Sequence, residues 1–106
     1  MDLCKEKCSA CRPDTSIIPS SELSSYLQKV PGWQFTAGTI RRMFPFKNFP
    51  EALTFFNRVA QLAEAEGHHP DMGIVNYKEV VLSLKTHAAR GLTKNDFIMA
   101  AKVDKL

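Results

Sequence analysis

The chain has 106 residues, 44% of them hydrophobic and one a tryptophan, enough for a single core that buries roughly two-thirds of the unfolded surface. Its net charge of +3 comes from 14 basic and 11 acidic residues that interleave; the one basic doublet, Arg41-Arg42, argues against a nucleic-acid partner. No apolar run reaches the length of a membrane span, and Lys5, Glu6 and Lys7 stand where a signal peptide is apolar, so the expectation is a cytoplasmic protein with no membrane association.

Cys4, Cys8 and Cys11 fall in a polar leader, residues 1–15, which is expected to be flexible and to place no cysteine in the packed core. Their C-x3-C-x2-C spacing is compatible with an iron–sulfur cluster or, given a fourth ligand, with zinc, but free thiols on a frayed terminus are the favoured reading. Residues 16–106 then read as one domain. Ser20 or Ser21 can cap a first helix that runs to Val30, with Leu23, Leu27 and Val30 on one stripe and Pro31-Gly32 as its stop. Residues 33–36 and 39–47 read as a hairpin. In its second strand Ile40, Arg42, Phe44 and Phe46 alternate with Arg41, Met43, Pro45 and Lys47, and Pro45 assigns that strand to a sheet edge or a bulge.

Asn48-Phe49-Pro50-Glu51 opens the longest helix, with Asn48 as cap, and Gly67 ends it. Its apolar residues cover about half the circumference, which fits either a face buried against another subunit or a helix wedged between sheet and first helix. Residues 73–77 and 79–86 supply two more strands, and Thr93-Lys94-Asn95-Asp96 is a capping box before a last helix over residues 97–104. The order α-β-β-α-β-β-α, with short turns between consecutive strands, predicts an α+β fold: a four-stranded antiparallel sheet with three helices on one face.

All three histidines, His68, His69 and His87, lie within twenty residues of one another, gathering the groups that titrate near neutrality in one region. Glu64 is one helical turn before His68 and is expected to reach its ring, while the helix dipole favours a cation there. Side chains of His68 and His69 diverge in an extended stretch fixed by Pro70, so they are expected to touch different parts of a ligand. His87, at a strand end, adds a third imidazole, which permits an acid and a base in one site. Three imidazoles can also hold zinc, but the H-H-x17-H spacing lacks an i, i+4 pair and favours metal-free acid–base work.

The pattern Glu64-x3-His68-His69-Pro70-x6-Tyr77-x9-His87-x8-Asp96 closely resembles the signature of the pterin-4a-carbinolamine dehydratases. The similarity extends through Pro31-Gly32-Trp33, Arg42-x-Phe44-x-Phe46-x3-Phe49-x-Glu51-Ala52 and Thr86-His87 with Gly91-Leu92-Thr93, over residues 20 to 104. The segment Asp71 to Asn76 departs from the family in lacking the acidic–aromatic pair that often follows His-His-Pro in animal members.

The resemblance implies the same α+β fold, assembled as a homodimer through joined sheets or a homotetramer through the long helix. It also implies dehydration of 4a-hydroxytetrahydropterin to quinonoid dihydropterin, without cofactor or metal, in a pathway shared with an aromatic amino acid hydroxylase. By resemblance His68 and His87 are acid and base candidates and His69 chiefly binds the pterin. Glu64 would orient His68, and Asp96 would contribute a hydrogen bond. Pro70, Tyr77, Trp33 and Thr86 would contact substrate, with Trp33 as lid or wall. The alternative is a protein-interaction module, a transcriptional coactivator or dimer-stabilising partner, acting through the exposed long helix.

Overall fold

A computed structural model describes residues 3–8, 16–86 and 91–106. Its elements are α1 (Ser20–Lys29), β1 (Gln34–Thr36), β2 (Thr39–Pro45), α2 (Phe49–Glu66), β3 (Asp71–Val75), β4 (Glu79–Leu84) and α3 (Lys94–Val103). The strands form one antiparallel sheet in the order β1-β2-β4-β3. Period-two burial is clean in the two central strands. Ile40, Val80, Leu82 and Leu84 are buried toward the helices, while Arg41 and Met43 on the opposite face are exposed. The α+β reading therefore holds.

Several boundaries differ from expectation for identifiable reasons. α1 begins at Ser20 itself, and the residue in the cap position is Pro19, whose carbonyl accepts from Glu22 N–H in place of any serine cap. β2 is internal, not an edge. Pro45 is tolerated because β1 reaches only Thr39, Ile40 and Arg41, so the β1-facing side of β2 is open beyond Arg41. Phe46 N–H bonds Lys78 O on the β4 side, which turns the position of Pro45's missing donor toward that open side. β3 starts two residues before the expected strand and ends at Val75, because its register with β4 pairs Asp71 with Ser83 and Val75 with Glu79.

α2 follows its local signals. Asn48 Oδ1 accepts Glu51 N–H at 2.9 Å, Pro50 occupies the first turn, and Gly67 closes the helix at φ 65°. Only Ala52, Val59 and Ala63 are buried along it; Phe55, Phe56 and Leu62 are half-buried, and Phe49 and Leu53 are exposed. The wide apolar face is thus only partly covered by this chain. α3 is the centre of the core, with Asp96, Phe97, Met99 and Ala100 wholly buried and the helix packed on α1, α2 and the leader.

The described part of the leader packs on the rest of the domain. Leu3 is 3% exposed, in a 3-10 turn packed on α3, and Cys8 packs against the core, contrary to the expectation that no leader cysteine would do so. Cys8 N–H donates to Glu66 Oε1 at 2.9 Å, and Lys94 pairs with Glu6. The Cys8 N–H and then the Lys102 ammonium hold the Glu66 carboxyl below the usual range, against the opposing effect of burial. Cys11 lies outside the described residues. No helix among the described residues is long and apolar enough to cross a membrane.

Candidate active site

The left-handed Gly67 reverses the chain at the end of α2: the N–H groups of Gly67 and His68 both reach Ala63 O. This turn drives His68 inward, over the start of α3. Its Nε2 stands 2.7 Å from Asp96 Oδ1, with the histidine 8% exposed and the aspartate fully buried. A buried carboxylate can only accept, so Nε2 carries the proton and Nδ1 is left as the ring atom available to a ligand.

Asp96 is itself held from three directions. Oδ1 takes His68 Nε2–H, while Oδ2 accepts the Thr86 hydroxyl at 2.8 Å and the Thr93 N–H at 2.9 Å. The Thr93 bond is the capping box of α3, so one side chain both starts the helix and holds the histidine. Thr86 lies just beyond β4 and is tied to Gly91 by two backbone hydrogen bonds, of 3.0 and 3.3 Å. All four side chains of the set, His68, Thr86, Thr93 and Asp96, are buried, and no buried side-chain polar atom among the described residues lacks a partner.

His69 points the other way, as the extended Pro70 segment predicts. Its Nε2 lies 2.9 Å from Glu64 Oε1, with the two side chains 59% and 80% exposed. Glu64 therefore pairs with His69, not His68. One turn of helix separates Glu64 from His68 in sequence, but the Gly67 reversal carries His68 inward and leaves only His69 beside the solvent-facing carboxylate.

Trp33 and Tyr77, also expected at the site, lie apart from the His68–Asp96 pair. Trp33 is 4% exposed and its indole N–H donates to both Asp104 oxygens, at 3.0 and 3.1 Å, with Phe44 packed edge-on. Asp104 follows α3, eight residues after Asp96, which is roughly 12 Å along the helix. Trp33 is thus a core latch at the far end of α3, not a lid. Arg42 joins the latch at 3.0 Å; burial pushes the Asp104 carboxyl above its ordinary value, and the Trp33 and Arg42 contacts oppose this. Tyr77 is 63% exposed in the β3–β4 turn, at φ 55°, the whole length of β3 from His69. Thr86 is 2% exposed with its hydroxyl committed to Asp96, so that group faces inward instead of toward substrate. His87 lies outside the described residues. Thr93 had been read only as a cap, and its place beside Thr86, 2.7 Å between hydroxyls, depends on a loop closure that local sequence does not reveal.

The arrangement is an α+β domain with a buried aspartate–histidine pair at the junction of α2, β4 and α3. Residues 17–106 match the family model described as pterin 4 alpha carbinolamine dehydratase, and the chain belongs to that family. A Saccharophagus degradans protein provisionally named pterin-4-alpha-carbinolamine dehydratase is 44% identical over 109 residues, covering 99% of this chain and 96% of the relative. Arabidopsis thaliana pterin-4-alpha-carbinolamine dehydratase 2, mitochondrial, is 41% identical over 99% of this chain, which spans 59% of that longer protein. Among solved structures, a transcriptional coactivator/pterin dehydratase from Brucella melitensis superposes with a TM-score of 0.79 at 34% identity, over 85% of this chain and 97% of that one. A pterin dehydratase-like protein described as a RuBisCO assembly factor in the alpha-carboxysome shares the fold, with a TM-score of 0.57 at 23% identity over 69% of this chain and 83% of that one.

Proposed function

We propose that this protein dehydrates 4a-hydroxytetrahydropterin to quinonoid dihydropterin. In the reaction the C4a–O bond breaks, N5 gives up its hydrogen, a C4a=N5 bond forms and one water leaves. An acid must protonate the departing hydroxyl and a base must accept the N5 proton. The observation that carries the reading is the His68–Asp96 pair, 2.7 Å apart and buried, within a chain of this family. With Nε2 committed to the carboxylate, His68 presents Nδ1 as the proton acceptor, and Asp96 offsets the charge that the ring gains. His69 and His87 are then the candidates for binding the pterin and for protonating the leaving oxygen, and Pro70, next to His69 in sequence, is a candidate for contacting the pterin. The product would return to an aromatic amino acid hydroxylase as its reduced cofactor after a separate reduction.

A homodimer or homotetramer belongs to this reading, supported by the exposed Phe49 and Leu53 on α2. The same exposed residues support a second reading, a protein-interaction module, which a His68→Ala, His69→Ala double variant separates: a binding role survives it and catalysis does not. The direct test is the decay of enzymatically generated 4a-hydroxytetrahydropterin, followed in ultraviolet absorbance, with a His68→Ala, His87→Ala variant alongside. Acceleration by the parent and its loss in the variant are expected; folded parent protein without acceleration refutes the assignment.

A further inference from the structure

We propose that Thr86 and Thr93 are positioning residues whose hydroxyls, donating in series onto Asp96, set the tautomer and ring angle of His68. The effect on turnover rests on the dehydratase reading above; the effect on the imidazole does not.

The direction of the hydrogen bonds follows from counting hydrogens. Thr86 Oγ1 lies 2.8 Å from Asp96 Oδ2 and 2.7 Å from Thr93 Oγ1. The carboxylate has no hydrogen to give, so the one Thr86 hydroxyl hydrogen goes to Asp96. Thr93 must then supply the hydrogen between the two hydroxyls. The series runs from Thr93 Oγ1 to Thr86 Oγ1 to Asp96 Oδ2. The Thr93 N–H meets the same oxygen at 2.9 Å. Two donors on Oδ2 fix the rotation of the carboxyl group and leave Oδ1 aimed at His68 Nε2.

The geometry gives Thr86 a second connection. Its backbone bridges Gly91, and its side chain holds the carboxylate that holds His68, so the end of β4 and the start of α3 are locked to the same imidazole. A threonine needed only for burial would be served equally well by valine, which has nearly the same shape. Valine at this place would remove a donor from Oδ2 and leave the Thr93 hydroxyl with no acceptor. The carboxyl group could then rotate, and the Nε2–H bond to Oδ1 would lose its fixed partner.

The test uses the full chain and the variants Thr86→Val and Thr86→Ser. The parent is expected to show His68 as the Nε2–H tautomer in nitrogen-15 spectra of the imidazoles, with a slowly exchanging ring proton. Thr86→Val should speed exchange of that proton and populate the Nδ1–H tautomer, whereas Thr86→Ser should restore the parent spectrum. Turnover should follow the spectra: Thr86→Val lowers kcat by about 10- to 100-fold with KM little changed, as for a misplaced catalytic group, and Thr86→Ser recovers it. A folded Thr86→Val protein with the parent's His68 tautomer and exchange rate overturns the proposal.

Two outcomes remain distinguishable from these. If the parent has no dehydratase activity, the spectra still decide the positioning role while the functional reading fails. If Thr86→Val does not fold, the parent decides alone: the Thr86 and Thr93 hydroxyl protons must both be protected from exchange, and rapid exchange of either overturns the series.

Discussion

Replacing Asp96 with asparagine should invert the chemistry of His68 while keeping the fold. The amide has one oxygen where the carboxylate has two. Placed at the Oδ2 position, that oxygen retains the Thr86 hydroxyl and the Thr93 N–H; placed at the Oδ1 position, it retains His68 alone. Two retained bonds against one favour the first orientation by about 1 kcal/mol, roughly fivefold in population, before counting the clash of amide hydrogens with two donors in the second. In the favoured orientation the amide N–H₂ faces Nε2, which must become an acceptor, so the ring proton moves to Nδ1. The atom offered to substrate changes from acceptor to donor. Loss of a positioned base typically costs 10²- to 10⁴-fold, about 2.7–5.4 kcal/mol of barrier, so kcat should fall within that range. Stability should fall by only about 1–3 kcal/mol, because bonds to a charged group become bonds to a neutral one. Rapid-mixing ultraviolet assays measure the first effect, urea titration the second, and nitrogen-15 spectra the tautomer. An Asp96→Asn protein that turns over at the parent rate, or one inactive with the Nε2–H tautomer intact, would refute the reasoning.

Three further outcomes follow from the same contacts. Glu64→Ala should leave kcat/KM within about fivefold of the parent, since an ion pair this exposed contributes roughly 0–1 kcal/mol; a loss approaching that of Asp96→Asn would restore Glu64 as the main partner of a catalytic histidine. Leu3→Ala should destabilise the protein by about 2 kcal/mol in urea, the low end for a buried leucine because a terminal segment can fray, and no change would mean that the leader does not dock. Burial raises the Asp104 carboxyl, so its folding contribution is complete below the ordinary aspartate value and is lost as pH rises through the raised folded value. Asp104→Asn keeps an acceptor for Trp33 but cannot ionise, so the parent should lose stability relative to the variant as pH rises through that window; a parent that gains on the variant would mean that the Arg42 contact outweighs burial.

Much of the fold was legible because its signals are local. The alternation through Ile40, Arg42, Phe44 and Phe46, the Asn48 cap, the Gly67 stop and the Thr93–Asp96 box each depend on neighbours within a few residues, and each appears in place. Pro45 misled because its tolerance is set by the length of β1, a property of another strand. Tyr77 misled because an aromatic residue favours a strand, whereas the β3–β4 register leaves residues 76–78 to turn the chain and imposes positive φ on Asn76 and Tyr77. The packing of Leu3 was not legible because three cysteines and several charges surround the one leucine of the leader.

The site was legible as a cluster but not as a wiring pattern. Reasoning along the chain gives His68 its nearest carboxylate in sequence, Glu64, and gives Asp96 a complete explanation as a helix cap. Yet a cap uses one lone pair of a carboxylate that has about four. If that carboxylate is also wholly buried, as Asp96 is, the remaining lone pairs require donors from outside the helix. His68 and Thr86 are those donors, 28 and 10 positions away in sequence. The need for them could be argued from a buried capping aspartate; their identity could not, because it depends on the reversal at Gly67 and on where β4 ends. A cap on a core helix is therefore a place where a fold can hold a catalytic side chain at little added cost, since the carboxylate is already fixed by the helix it starts.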